Sequence, residues 1–324
     1  MLQIGPYHLD TQVALAPMAG VTDRPFRQLC REMGAGLVVS EMVTSDSSLW
    51  HTRKSTLRLN HQGEAEPRSV QIAGGDPEMM ATAAKLNAER GAQIIDINMG
   101  CPAKKVCNKA AGSALLRDEA LVESILHAVV ESVNIPVTLK IRTGWCTESK
   151  NALNVAHLAE QAGIAALTIH GRTRADKYLG QAEYDTIREV RRHCSLPLIA
   201  NGDIDSPIKA KKVLDYTGAD AVMIGRAAQG RPWLLREIDH YLRYGEIIAP
   251  PERDETHRIM RRHISELHDF YGPVMGVRIA RKHLGWYLKS EENGPVFRQY
   301  FNQLETSEAQ LDAIDHYFDR SNAA

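Results

Sequence analysis

Short apolar runs recur along the first two thirds of the chain, each closed by glycine, proline or a polar residue. Val13-Ala14-Leu15-Ala16 runs into Pro17-Met18-Ala19-Gly20, and Leu37-Val38-Val39-Ser40 follows. Ser69-Val70-Gln71-Ile72 precedes Gly74-Gly75, and Ile94-Ile95-Asp96-Ile97-Asn98 ends at Gly100-Cys101-Pro102. Val137 to Ile141, Leu167 to His170, Pro197 to Asn201 and Ala221 to Gly225 complete the series. Runs of this length bounded by turn residues read as buried strands. Helical segments lie between them. Thr22-Asp23 with Pro25, Asp76-Pro77, Asp118 and Ser206-Pro207 have the chemistry of helix starts, while Gly91, Gly163 and Gly218 mark ends.

No connection among these strands is short enough for a hairpin, so the pattern predicts a parallel sheet with helical crossovers. Eight such units favour a closed (β/α)8 barrel, a TIM barrel of the α/β class, over an open doubly wound sheet. No G-x-G-x-x-G follows the first strand, which counts against a dinucleotide-binding sheet. Past Pro250-Pro251 the strand signals stop. Glu252 to Tyr271, Met275 to Lys289, Asn293 to Leu304 and Ser307 to Phe318 read as helices, the first two parted by Gly272-Pro273. Ser307 and Gln310 have capping-box spacing. The expected organisation is a barrel over residues 1–249 and a C-terminal all-helical domain over 250–324, with enough helices for a small bundle.

A length of 324 residues suits a barrel of about 250 residues plus an appendage. The formal net charge of -1 carries no global signal for nucleic acid, so any such surface must be local. The 5 cysteines are scattered, with no C-x-x-C pair, and suggest neither a zinc site nor a disulfide framework. The beginning MLQIGPYHLD has no charged n-region or long apolar segment. The expectation is a reduced cytoplasmic protein without a membrane span or metal.

Cys101 lies just past a strand's C-terminal end, where α/β folds place their chemistry. It is a candidate nucleophile, a candidate general acid, or a packing thiol. Lys140 sits inside a strand between Leu139 and Ile141. It either points into a polar pocket, with Arg142 on the same side, or lies outside under a helix. His170 ends the next strand but one after Cys101. Asn201-Gly202-Asp203 and Gly225-Arg226 end the last two, where such barrels bind phosphate; FMN and a sugar phosphate both fit. In the tail, Arg278, Arg281, Lys282 and Lys289 share a helix face with His283, Trp286 and Tyr287 interleaved. On spacing alone, a solvated face over core aromatics is the simpler reading; a basic stripe with stacking rings for RNA is the other.

Several stretches together carry a resemblance. They are Ala16-Pro17-Met18-Ala19-Gly20-Val21-Thr22-Asp23, Asn98-Met99-Gly100-Cys101-Pro102, Leu139-Lys140-Ile141-Arg142, His170-Gly171-Arg172-Thr173, Asn201-Gly202-Asp203-Ile204 and Gly225-Arg226-Ala227. In this order on a barrel with a helical tail, the chain resembles the tRNA-dihydrouridine synthases over nearly all its length. Cys101 to Val106, Gly112 to Leu116 and His268 to Pro273 point to the bacterial B branch. Cys107 is not part of the family's motif.

The resemblance implies an FMN enzyme that uses NADPH to reduce the C5–C6 double bond of a D-loop uridine in tRNA, uridine 17 for the B branch. Pro17, Met18 and Ala19 would line the flavin, and Gln71 and Lys140 would bond its polar edge. His170, Asn201, Gly202, Asp203, Gly225 and Arg226 would hold the ribityl chain and phosphate. Asn98 and Arg172 would contact the uracil. Arg278, Arg281 and Lys282 would grip tRNA, with the protein acting as a monomer. Hydride goes to C6, and Cys101 as a neutral thiol would protonate C5. Three other functions remain open: an FMN reductase of a free pyrimidine or enone, an RNA-binding module on an inactive barrel, and a flavin-free aldolase barrel using Lys140 as a Schiff base.

Overall fold

The computed structural model describes residues 2–108, 110–291 and 293–320. The chain opens with an antiparallel hairpin, β1 (Gln3–Ile4) and β2 (Tyr7–His8). The apolar pattern did not signal it, because strands this short have no period to read. The barrel strands follow: β3 (Val13–Leu15), β4 (Leu37–Val38), β5 (Val43–Thr44), β6 (Ser69–Ala73), β7 (Ile94–Met99), β8 (Val137–Arg142), β9 (Ala166–His170), β10 (Leu198–Asn201) and β11 (Ala221–Ile224). They pair in parallel in the order β4-β3-β11-β10-β9-β8-β7-β6-β5. The second expected strand, Leu37 to Ser40, forms only as β4, and β5 beyond it was not signalled; this position of the ring is thus split, with β4 pairing β3 and β5 pairing β6. Val39 bridges to Ser69, and Ser40 N–H donates to Ser69 O at 3.0 Å, so the ring closes through the split strand.

The helices α1 (Arg24–Glu32), α2 (Arg53–Arg58), α3 (Pro77–Glu89), α4 (Lys104–Cys107), α5 (Glu119–Ser132), α6 (Ala152–Ala162), α7 (Asp185–His193), α8 (Pro207–Thr217) and α9 (Leu234–Tyr244) connect or follow the strands. The expected caps form: Asp23, Asp76 and Asp118 accept from Phe26 N at 3.1 Å, Met79 N at 2.8 Å and Leu121 N at 3.0 Å. Alternation divides each strand. Leu139 and Ile141 face the surrounding helices among the buried apolar side chains, while Lys140 faces inward. At the strands' N-terminal ends the inward positions are small or apolar. There Ala14, Leu37, Ile94, Ala166, Ile199 and Ala221 pack with Leu2, Ile4 and Leu9, so the hairpin plugs the barrel floor.

The tail begins with α10 (Arg253–Tyr287), which breaks at Gly272, where φ is 77° and ψ 175°, with Pro273 starting its second half. Only glycine adopts that conformation readily, so two helices meet at the corner read in the sequence. Helices α11 (Gly294–Phe301) and α12 (Ser307–Arg320) complete it. The capping-box expectation for Ser307 and Gln310 is corrected. Thr306 is the cap, accepting from Ala309 N at 3.1 Å. Gln310 is instead fully buried, bonding Val277 O at 3.2 Å and His268 Nε2 at 2.8 Å across the helices. Burying a glutamine between two partners satisfies it better than a cap that a neighbouring threonine already makes.

Tail and barrel share contacts: Leu29 and Trp233 join the apolar cluster of Ile264, Leu267, Leu284, Phe301 and Ile314. Tyr271 OH donates to Asp23 Oδ2 at 2.9 Å, and Lys282 Nζ donates to Gly20 O. Among the described residues no helix is long and apolar enough to cross a membrane.

Candidate active site

A cavity of about 1710 Å³ opens over the C-terminal ends of the strands and continues under the tail. It gathers Pro17, Met18, Ala19, Gln71, Asn98, Cys101, Lys140, His170, Asn201, Gly202, Asp203, Gly225 and Arg226 from the barrel. Arg278, Arg281, Lys282, Trp286, Lys289 and Arg298 form its opposite wall.

The floor is a closed set of hydrogen bonds. Thr138 Oγ1 donates to Asp96 Oδ1 at 2.6 Å, and Gln71 Nε2 donates to Asp96 Oδ2 at 2.7 Å. Asn98 Nδ2 donates to Gln71 Oε1 at 2.8 Å. Asn98 Oδ1 then accepts from Gly100 N at 3.2 Å and Cys101 N at 3.0 Å, shaping the turn that carries the thiol. Cys101 O is held by Ser113 Oγ at 2.9 Å. Burial raises the Asp96 pKa to about 6, against the hydrogen bonds from Thr138 and Gln71 and the charge of Lys140.

Burial pushes the Cys101 thiol above its ordinary range, with Cys107 adding to the rise and Arg142 and Lys140 opposing it. The thiol therefore stays protonated at neutral pH, which favours a proton donor over a thiolate nucleophile. Lys140 is partly buried, and its Nζ donates to Asn201 Oδ1 at 3.0 Å. Burial, reinforced by Arg142, lowers its pKa to about 8 against the pull of Asp96 and Cys101, so it remains mostly cationic at neutral pH. His170 is pushed well below its usual range by burial and then by Lys140, Arg142, Arg172 and Arg226, so the ring is neutral. Arg172 Nη1 lies 3.3 Å from His170 Nε2; an arginine only donates, so Nδ1 carries the proton.

The turn after β10 is unusual: Gly202 has φ 123° and Asp203 φ 48°. A side chain at Gly202 would meet Ala182 Cβ at 2.7 Å. Arg172 clamps this strained turn, reaching Asp203 Oδ1 at 2.9 Å and Oδ2 at 2.5 Å, with Leu179 O and Gly180 O as further acceptors. Arg172, the residue expected at the uracil, is 3% exposed and lies beside the cavity rather than in its lining. Arg226 reaches Asp203 Oδ1 at 3.1 Å and keeps about half its side chain exposed on the rim, 4.8 Å from the Tyr178 ring centre.

Several lining residues were not singled out as site candidates, Arg142 and Tyr178 among them. Arg142 faces the same way as Lys140 by strand alternation; it ties Gly100 O to Thr173 O and Lys177 O, each at 2.8 Å. Tyr178 lies in a loop without any periodic signal. In the tail, Arg278 and Lys289 are exposed, whereas Arg281 bonds Leu304 O at 2.9 Å and Lys282 is held by Gly20 O and Trp286. The interleaved rings divide: Trp286 lines the cavity, but His283 and Tyr287 are buried with Phe26 and His263, as core rather than stacking surface.

The family model described as dihydrouridine synthase (Dus) matches residues 14–322. A tRNA-dihydrouridine synthase B of Pseudomonas putida is 65% identical over 317 residues, 98% of this chain and 94% of that one. That of Pseudomonas aeruginosa is 64% identical over 318 residues, covering 98% and 96%. The protein of the same name from Escherichia coli (strain K12) is 58% identical over 318 residues, covering 98% and 99%. Among solved structures, histamine dehydrogenase from Rhizobium sp. 4-9 superposes with a TM-score of 0.55 at 12% identity, covering 82% of this chain and 50% of that one. Morphinone reductase in complex with tetrahydroNAD gives 0.52 at 15% identity, covering 79% and 92%. At such identities these two speak for the barrel fold alone. The sequence model, in contrast, spans barrel and tail alike, and the chain belongs to the dihydrouridine synthase family.

Proposed function

We propose that the chain is a tRNA-dihydrouridine synthase that reduces the C5–C6 double bond of a D-loop uridine, uridine 17, with NADPH as reductant and FMN as cofactor. The observation that carries this reading is one continuous cavity, in which the Lys140 and Cys101 groups at the floor open onto the cations of the helical tail. Related proteins called tRNA-dihydrouridine synthase B match over 98% of the chain.

The donor set suits FMN. Lys140 has Asn201 as a partner and further N–H bonds to offer, Gln71 Nε2 has a second hydrogen, and Gly202, Gly225 and Arg226 line the rim where a phosphate fits. In this proposal Pro17, Met18 and Ala19 lie against the ring, Gln71 and Lys140 bond its polar edge, and His170, Asn201, Gly202, Asp203, Gly225 and Arg226 hold the chain and phosphate. When bound, FMN supplies the hydride that adds to C6 of the uracil.

Lys140 keeps a positive charge beside the ring. Asn98, whose second role is to hold the Cys101 turn, orients the base. Cys101 Sγ holds the proton that goes to C5. Arg278, Arg281 and Lys282 attract the tRNA backbone, and the target base leaves its stack to reach the floor, at a cost of a few kcal/mol. As part of the same proposal the protein is a cytoplasmic monomer, which sedimentation of the purified protein tests.

Purified protein, NADPH and unmodified tRNA should yield dihydrouridine at position 17 by nucleoside and fragment mass spectrometry. A flavin-loaded protein that leaves tRNA untouched while reducing a free pyrimidine or enone would overturn the proposal.

A further inference from the structure

The acid in the floor has no place in the chemistry above. Asp96 is buried on β7 and shares its side of the strand with Asn98, yet it does not line the cavity. Its bonds have a direction. An ionised carboxylate only accepts, so Gln71 must turn Nε2 toward Asp96 Oδ2 at 2.7 Å. Gln71 Oε1 is then left to accept from Asn98 Nδ2 at 2.8 Å. That in turn leaves Asn98 Oδ1 uppermost, where it accepts from both Gly100 N and Cys101 N. Each amide has two orientations, and the bond before it removes one of them. The same logic leaves the second Gln71 N–H as a donor for whatever occupies the floor.

We propose that Asp96 is a positioning residue whose acceptor-only carboxylate sets the polarity of the Asp96–Gln71–Asn98 relay and thereby holds the Cys101 turn. The catalytic consequence rests on Cys101 being the proton donor, but the relay itself does not. In Asp96→Asn, residue 96 is the one acceptor that the described residues give the buried Thr138 hydroxyl proton, so pairing that proton keeps the carbonyl oxygen opposite Thr138 Oγ1 and turns the new amide nitrogen toward Gln71 Nε2. Gln71 turns, Asn98 turns after it, and Asn98 Nδ2 then faces the two backbone N–H groups it formerly accepted. Donor meets donor, and the turn loses its anchor.

A charge swap reverses the relay without leaving a clash. In D96N/N98D, residue 96 accepts from Thr138 and donates to Gln71 Oε1. Gln71 Nε2 donates to the new carboxylate at 98, which still accepts from Gly100 N and Cys101 N. No donor then faces a donor along the relay, and the net charge is unchanged.

The test is iodoacetamide labelling of Cys101 in the purified protein without tRNA, read by peptide mass spectrometry; tryptic cleavage at Lys104 and Lys105 separates it from Cys107. D96N should label about tenfold faster than wild type, the equivalent of losing about one hydrogen bond from the turn. D96N/N98D should return to within about twofold of wild type. If D96N does not fold, a folded double variant with wild-type labelling supports the relay just as well. Unchanged labelling in folded D96N overturns it, and so does a double variant that labels as fast as the single one or fails to fold. Because labelling involves neither NADPH nor turnover, a result against the proposed reaction would leave this one standing, and the reverse.

Discussion

At the N-terminal end of the barrel the inward positions are Ala14, Leu37, Ile94, Ala166, Ile199 and Ala221, sealed by Leu2, Ile4 and Leu9. Further toward the C-terminal ends of the barrel strands they are Gln71, Asp96, Asn98, Lys140, His170 and Asn201. One end releases apolar surface from water and contributes stability; the other buries charges and amides, which costs stability unless each finds a partner. The pKa values record that cost: burial drives Asp96 up to about 6 and Lys140 down to about 8, each away from its charged form. A barrel can carry such a mouth because its floor is apolar and plugged. The comparison predicts that changes at the two ends separate, chemistry from stability.

The largest expected effect is at the mouth. Cys101→Ala should lower dihydrouridine formation by about 10²- to 10⁴-fold, the usual worth of a positioned proton donor. Thermal unfolding should stay close to wild type, since the side chain is only half-buried. Loss of both activity and fold would mean that the mouth is structural after all. Ile4→Ala is the converse. Removing this fully buried side chain should cost about 2–4 kcal/mol in denaturant unfolding, while activity per folded molecule stays unchanged.

A smaller effect is expected from pH. Lys140 is protonated below about 8 and neutral above it. If its charge holds FMN, affinity should be constant at lower pH and fall by up to about tenfold per unit as pH rises through 8. Fluorescence titration reads this, and Lys140→Met should flatten the step. The smallest effects belong to the tail wall. Arg278→Glu and Lys289→Glu should each weaken tRNA binding and reduce the slope of log affinity against log salt by about 1, for one phosphate contact apiece. Filter binding at several salt concentrations measures it; an unchanged slope would remove these cations from the interface.

Much of this was legible along the chain because alternation and strand ends are local. Cys101 past β7, Lys140 opposed to Leu139 and Ile141, and the glycines after β10 and β11 follow from a period of two and from turn chemistry. The corner at Gly272-Pro273 and the aspartate caps are equally local. The family motifs added roles that spacing could not supply.

Wherever an outcome hung on a distant partner, the sequence was silent or misleading. Arg172 stands in a motif beside His170, and nothing local shows that Asp203, 31 residues away, is its partner. Gln310 has capping-box spacing, yet His268 and Val277 draw it into the core across 42 and 33 residues. Lys282 belongs to a basic face, while Gly20 O, 262 residues earlier, accepts from it. His283 and Tyr287 share the spacing of Trp286 and lie in the core, because α10 packs on Phe26 of the barrel.

The sequence by itself determined the order of the main barrel strands and helices, which of their side chains face inward, and which residue types stand at the strand ends, since backbone geometry fixes these within a few residues. The tertiary structure alone decided which donor meets which acceptor. The direction of the Asp96–Gln71–Asn98 relay depends on β6, β7 and β8 pairing in register, and only that pairing brings side chains so far apart in the chain together. A buried polar group takes the partner that the fold brings within reach, because leaving it unpaired costs more than any local preference supplies.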